Sequence, residues 1–153
     1  MARHHCYSGA ERDFWRDARA PTTEDFAHLA RAAFARLPEQ FRLRCENILL
    51  LIEDFPSEDV IQEMGLESPF DILGLYQGVD VIRKGHDGIA PEPDAVFIYR
   101  RPILDHWAEG EETLGNLITH VLVHEIGHHF GLSDEDMEMI EAEAAAQELR
   151  AAH

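Results

Sequence analysis

The stretch "VLVHEIGHHFGLSDEDM", residues 121 to 137, constrains the fold more than any other part of the sequence. It completes a segment in which apolar residues recur at the spacing of one helix face. These residues are Leu114, Leu117, Ile118, Val121, Leu122 and Ile126. The segment predicts one long amphipathic helix, from the acidic residues Glu111 and Glu112 to a glycine stop at Gly131. The fold must bury the apolar face of this helix and leave its polar face accessible.

The polar face carries side chains that can bind a metal ion or transfer a proton. His124 and His128 are four residues apart and therefore project from one face of the helix, one turn apart. That spacing lets two imidazoles bind one Zn²⁺ at about 2.0–2.1 Å. Glu125 lies one position further round, where it can take a proton from a metal-bound water as general base. Asn116 and His120 continue the histidine face, which could line a cleft.

Two histidines are too few ligands for a zinc ion, and the residues after the helix offer a third. Gly131 can adopt the left-handed conformation that ends a helix and reverses the chain. Asp134, three residues later, would then turn back towards the two histidines. Glu138 and Glu141 remain alternatives, because an antiparallel following helix would place them opposite the histidines. The predicted site holds one zinc per chain and leaves one position for water and substrate.

The rest of the chain predicts an α+β domain over residues 21–153, preceded by an extension at 1–20. The extension lacks apolar periodicity and is expected to be flexible, with one short helical turn around "ERDFWRDA". Thr22 and Asp25 form a capping box that begins a helix. A shorter helix capped by Ser57 is expected further along the chain.

Three β-rich segments predict the sheet. The first, "ENILLLIEDFP", is expected to be buried on both faces. The second and third, "ILGLYQGVDVI" and "AVFIYRRPI", should form a hairpin-like pair across the polar loop 83–94, and Pro102 is expected to end the third. An extended peptide could add a strand at "AVFIYRR", taken as the sheet edge. Tyr76 and Tyr99 are candidates for stabilising an oxyanion beside the metal.

Charge and cysteine content exclude several classes of function. Thirteen basic and thirty acidic side chains give a formal net charge of −17, which disfavours nucleic-acid and anionic-membrane partners. No apolar segment has the roughly 20 residues that cross a bilayer, and the N-terminus lacks a signal-like apolar region, so a cytoplasmic protein is expected. Cys6 and Cys45 are expected to be free thiols. The sequence does not predict an oligomeric state.

The extended pattern His124-Glu125-x-x-His128-x-x-Gly131-x-x-Asp134 resembles the signature of small bacterial zincin-like metallopeptidases. The segments "LPEQFRLRCENILLLIEDFP", "LGLYQG" and "FIYRRPI" are similar to the same family in the same order. The resemblance implies a minimal zincin fold, a small partly antiparallel sheet with an active-site helix. It implies a peptidase with the two histidines and the aspartate as zinc ligands. It also implies that the glutamate acts as catalytic base on a metal-activated water.

A non-catalytic zinc-binding module that acts through a protein partner is the alternative function. Such a module would use the ion to hold helix and turn together. Glu125 separates the two hypotheses, because a structural site has no use for a carboxylate beside the ion. The expected partner of the enzyme is a peptide or protein substrate.

Overall fold

The computed structural model describes residues 9–78 and 94–151. Cys6 and nearly all of the predicted loop 83–94 lie outside the described residues. The helices are α1 Gly9–Asp17, α2 Thr23–Ala35, α3 Glu39–Leu43, α4 Glu58–Glu63, α5 Arg100–Glu109, α6 Leu114–His129 and α7 Asp134–Ala151. The strands are β1 Leu49–Glu53, β2 Gly74–Gln77 and β3 Ala95–Tyr99. The domain is therefore α+β, as predicted.

The three strands form one mixed sheet with β3 at its centre. The strand order is β1-β3-β2, with β1 parallel and β2 antiparallel to β3. The predicted pairing of the second and third β segments is confirmed. The sheet edge was predicted wrongly, since β3 bonds on both sides and β2 is an edge strand. A peptide cannot pair with β3 without displacing a neighbour.

Strand β1 is not buried on both faces, which corrects a second expectation. Leu49 and Leu51 on one face are 47% and 37% exposed, whereas Leu50 and Ile52 on the other pack against the core. The alternation arises because β1 lies at the edge of the sheet, where only one face is fully covered. Its run of leucines is typical of a strand in the centre of a sheet, although β1 lies at the edge.

One helix was not predicted, and another is longer than predicted. Helix α5 begins at Arg100, directly after β3, so Pro102 lies in its first turn and does not end a strand. Proline fits there because the first-turn N–H groups have no partner within the helix. Helix α1 spans nine residues where one turn was expected, in a segment without proline and with no glycine after Gly9.

Helix α6 occupies the middle of the core, and its predicted apolar face is buried. It packs against α2 through Phe26 and Ala30 and against β3 through Val96 and Ile98. Helix α6 begins at Leu114 and not at the acidic pair before it, because the Thr113 hydroxyl accepts the N–H of Asn116. None of the helices in the described part of the chain is long and apolar enough to cross a membrane.

Local signals at the helix ends are confirmed. Thr22 and Asp25 exchange both hydrogen bonds of a capping box at the start of α2. The Ser57 hydroxyl caps α4. Gly131 has a φ of 69° and ends α6 as predicted, with the Leu132 N–H donating to the Gly127 carbonyl at 2.9 Å. The turn brings α7 back alongside α6.

Candidate metal centre and catalytic carboxylate

A glycine contact determines how closely α7 approaches the histidine-bearing helix. Gly127 lies between the two histidines of the pattern, and a Cβ there would be 2.5 Å from Sδ of Met137. Met137 is fully buried, so its side chain fills the space that the glycine leaves. Met139, by contrast, is exposed. The glycine in "HEIGH" therefore lets the acidic helix pack next to the imidazoles.

The histidines line one face of α6, as their spacing predicts. The ring centroids of His120 and His124 are 3.9 Å apart, and those of His124 and His128 are 5.8 Å apart. His124 is half-buried, whereas the other two are exposed. Asn116 and His120 line a groove of about 330 Å³ between α6 and α7. The groove follows only this part of the predicted histidine face, since its lining includes neither His124 nor His128.

The Nε2 atom of His124 is buried without a hydrogen-bond partner among residues 9–78 and 94–151, and Oε2 of Glu141 lies 3.7 Å away. Burial lowers the pKa of His124, and the neighbouring His120 lowers it further. The lowered pKa favours the neutral form of the ring, which is the form that binds metals. An unpaired neutral imidazole nitrogen beside a carboxylate fits the N and O ligands that zinc takes in proteins.

The structure groups the candidate ligands differently from the sequence. Among the described residues, His120, His124 and Glu141 bring three ligand atoms within 4.8 Å of one another and could hold a metal. Asp134 is exposed at the start of α7, and its charge raises the pKa of His124. The set of His124, His128 and Asp134 stays a prediction. His120, assigned by sequence only to the polar face, enters through its position four residues before His124.

Glu125 is held by the backbone of the edge strand β2. The N–H of Tyr76 donates to Oε2 of Glu125 at 3.3 Å. Burial raises the pKa of Glu125, against smaller lowering effects of this hydrogen bond and of His128. A raised pKa brings a carboxylate closer to the range in which a general base works best near neutral pH. The residue that the sequence assigned to proton transfer therefore has a suitable environment.

The hydrogen bond to Glu125 depends on a close approach of strand and helix. A Cβ at Gly74 would lie 2.7 Å from Cγ1 of Val121 on α6 and 2.9 Å from the Phe97 carbonyl oxygen on β3. No rotamer change relieves a clash with a backbone oxygen. Glycine is therefore required where β2 passes between helix and central strand.

Gly74→Ala is expected to lower the free energy of unfolding by about 1–3 kcal/mol, because strand and helix must separate. Gly115→Ala is the matched control, since a Cβ there meets nothing within 4 Å. It should stabilise α6 by about 0.5–1 kcal/mol through helix propensity. Chemical denaturation of the three proteins checks both signs. Equal stability of the wild type and Gly74→Ala would contradict the close approach.

The two tyrosines proposed for oxyanion stabilisation have other environments. Tyr99 is 1% exposed, so its hydroxyl is not available to a peptide on the surface. Burial raises its pKa to about 12. The Tyr76 hydroxyl donates to Oδ2 of Asp94 at 2.9 Å, and its ring stacks on His129 with centroids 3.8 Å apart. Tyr76 thus contributes to the site through its backbone, and His129 supports it from the exposed side of α6.

Together these features define a class of protein. A small mixed sheet lies against a helix that presents two histidines and a half-buried carboxylate, with a glycine turn leading to an acidic helix. The chain belongs to the zincin-like metallopeptidase family, whose family model matches residues 45–144 of the 153. The family resemblance drawn from the sequence is confirmed, and it supports a zinc-dependent peptidase activity in general terms. No curated protein matches the chain significantly.

Proposed function

We propose that the protein is a zinc-dependent peptidase in which Glu125 is the general base. One observation carries the proposal. The half-buried Glu125 has a raised pKa, is hydrogen-bonded to an edge strand, and adjoins a histidine face with an unpaired ring nitrogen. His124, His128 and Asp134 would hold the zinc. The bound ion would polarise the peptide carbonyl and lower the pKa of a water ligand.

The role of Glu125 follows from its two oxygens. Oε2 accepts the N–H of Tyr76, which fixes the orientation of the carboxylate. Oε1 is then the oxygen that takes the proton of the attacking water. The protonated carboxyl can pass this proton to the leaving amine, so that one residue acts as base and then as acid. The backbone hydrogen bond keeps the carboxylate positioned during both transfers.

An extended peptide is proposed to bind along the outer edge of β2. The Tyr99 N–H donates to the Leu73 carbonyl, which sets the alternation of the antiparallel ladder. By this alternation the backbone groups of Gly74 and Tyr76 face away from β3. The Tyr76 N–H stays bonded to Glu125, so a peptide would pair with the Gly74 backbone and the Tyr76 carbonyl and would pass close to Glu125. The 330 Å³ groove beside His120 is large enough for a side chain.

The proposed partner is a peptide or protein, not a nucleic acid or a membrane. The formal net charge of −17 would repel phosphate backbones and anionic lipid headgroups. We also propose a cytoplasmic location, a reducing compartment in which the buried Cys45 would remain a free thiol.

Digestion of a peptide library tests the activity directly. Zinc-loaded protein is expected to cleave a small subset of peptides slowly, because so short a domain offers few walls for substrate binding. Chelation of the zinc should stop cleavage, and restoring stoichiometric zinc should recover it. The cleavage sites, read by mass spectrometry, would distinguish endo- from exo-action. No zinc-dependent cleavage at high protein concentration would contradict the peptidase proposal and favour the non-catalytic module.

A further inference from the structure

A carboxylate on α7 faces two imidazoles of α6 at once. Oε1 of Glu141 lies 2.7 Å from Nδ1 of His120, and its Oε2 lies 3.7 Å from Nε2 of His124. Glu141 is half-buried in the groove between the helices, and the two imidazole rings are tilted by 33° to one another with centroids 3.9 Å apart. Both oxygens of one carboxylate are thus directed at ring nitrogens on the face that carries the predicted zinc site.

The distances from Glu141 to His120 and to His124 indicate two different kinds of interaction. Two ligands of a tetrahedral zinc at about 2.0–2.1 Å are separated by about 3.3 Å. The 2.7 Å between His120 and Glu141 is too short for such a pair and is a strong hydrogen bond. An ionised carboxylate only accepts, so the proton of this bond is on Nδ1 of His120. The 3.7 Å between Glu141 and His124 is close to the separation of two ligands on one ion.

A hydrogen bond does not account for the arrangement at His124. The 3.7 Å separation exceeds the length of a protein hydrogen bond, and Nε2 of His124 is buried without a partner. A buried ring nitrogen left unpaired destabilises the folded state. An ion bound between this nitrogen and Oε2 of Glu141 would satisfy both atoms.

We propose that Glu141 is a ligand of the zinc at His124 and that His120 is the positioning residue that orients it. The proposal rests on the metal site of the proposed function, but not on hydrolysis. Glu141 follows Asp134 by seven residues on the same face of α7, so it would be a fourth protein ligand, and the attacking water would take a fifth position on the ion. A hydrogen bond to the second oxygen of a ligating carboxylate fixes its orientation and strengthens metal binding.

Zinc affinity, measured by competition with a chromogenic chelator, tests the ligand role. Glu141→Gln is expected to lower the affinity at least ~10-fold, because an amide is a much weaker zinc ligand than a carboxylate. Glu143→Gln, an exposed change two residues later on α7, is the matched control and should stay close to wild type. The absorption spectrum of bound Co²⁺ gives a second readout. It should change in Glu141→Gln and not in Glu143→Gln, because only the former alters the ligand field.

Two variants of His120 test the positioning role. His120→Phe keeps a ring against His124 but removes the donor, and should lower zinc affinity by about 10–100-fold. His120→Asn places an amide N–H near the position of Nδ1 and should restore most of the affinity. Equal losses in both variants would overturn the positioning role, since a merely structural contact would not be rescued by a donor.

The ligand role and the peptidase activity can fail separately. Full zinc affinity and an unchanged Co²⁺ spectrum in folded Glu141→Gln would overturn the ligand role, whatever the wild type cleaves. Glu141-dependent zinc binding by a protein that cleaves no peptide would support it and remove the peptidase proposal. A wild type that binds no zinc would overturn both.

Discussion

Glu125→Gln is expected to lower peptide hydrolysis by about 10²–10⁴-fold while leaving the bound zinc and the fold unchanged. Glutamine is nearly isosteric, and its side-chain oxygen can still accept the Tyr76 N–H that now holds Oε2. It cannot accept the proton of the attacking water. The loss should fall on kcat, with KM little changed, because the interaction removed is made only in the transition state.

The comparison needs matched zinc occupancy and a peptide that the wild type cleaves. Zinc content is measured by mass spectrometry of both proteins before the kinetics. Similar kcat values for wild type and Glu125→Gln would remove the glutamate from the mechanism. The alternative, a non-catalytic module, makes the opposite prediction, since the same substitution should then alter neither zinc content nor any measured function.

The same substitution should stabilise the metal-free protein at neutral pH. The folded-state pKa of Glu125 is raised above its ordinary 4.5, mainly by burial. Its contribution to stability is therefore fully present well below pH 4.5 and is lost as the pH rises through the folded-state value. Glutamine carries no charge at any pH. The stabilisation by Glu125→Gln, measured by urea unfolding, should be present at pH 7 and vanish in acid.

Features encoded over a few neighbouring residues could be predicted from the sequence. The apolar face of α6 follows from helical periodicity, and the Thr22 cap follows from side-chain donors and acceptors three residues apart. The Gly131 turn follows from the left-handed conformation that glycine adopts at low cost. His124 and His128 share a face for the same local reason. The candidate site was therefore visible on the helix before any tertiary contact was known.

Features that depend on distant contacts could not be predicted. Strand order is one, because "LLLIE" and "AVFIY" are equally apolar and only packing decides which lies at the centre. The position of Pro102 is another, since proline suits both the end of a strand and the first turn of a helix. The hydrogen bond from Tyr76 to Glu125 joins residues 49 positions apart. No local pattern encodes such a partner.

The contact between Glu141 and His120 also depends on distant packing, although the sequence contained a weak indication of it. An antiparallel α7 was expected to bring its glutamates opposite the histidines, but the choice among them required the packing of the two helices. Met137 in contact with Gly127 sets that packing. With this contact in place, Glu141 and not Glu138 lies beside the imidazoles.

Zinc binding is expected to be lost in His124→Ala and strongly weakened in Asp134→Asn, but retained in Asp136→Asn. His124 supplies the unpaired Nε2, so its removal takes away a nitrogen ligand of the ion. Asp134 and Asp136 are both exposed acids in the first turn of α7, and the helix dipole affects them similarly. A difference in zinc affinity between these two variants therefore reports coordination and not local charge.

The free energy of unfolding should respond to the two aspartate substitutions in the opposite order from zinc affinity. Oδ2 of Asp136 accepts the Ser133 N–H at 3.4 Å, and the Asp136 N–H donates to the Ser133 hydroxyl at 3.1 Å. Asp136→Asn should therefore weaken the start of α7 by up to ~1 kcal/mol without loss of zinc. Asp134→Asn should show the reverse, a weaker zinc site with little change in the unfolding of the metal-free protein.

Zinc titrations at several pH values complete the experiment. Affinity should fall below about pH 6, because protonated imidazole does not bind the ion. The pKa of His124 is lowered, mainly by burial, so protonation of this ring should compete with zinc only at lower pH than in an ordinary histidine. Equal zinc affinities for Asp134→Asn and Asp136→Asn would contradict the assignment of Asp134. Glu141 would then supply the acidic ligand without it, because it is the carboxylate already placed beside His124.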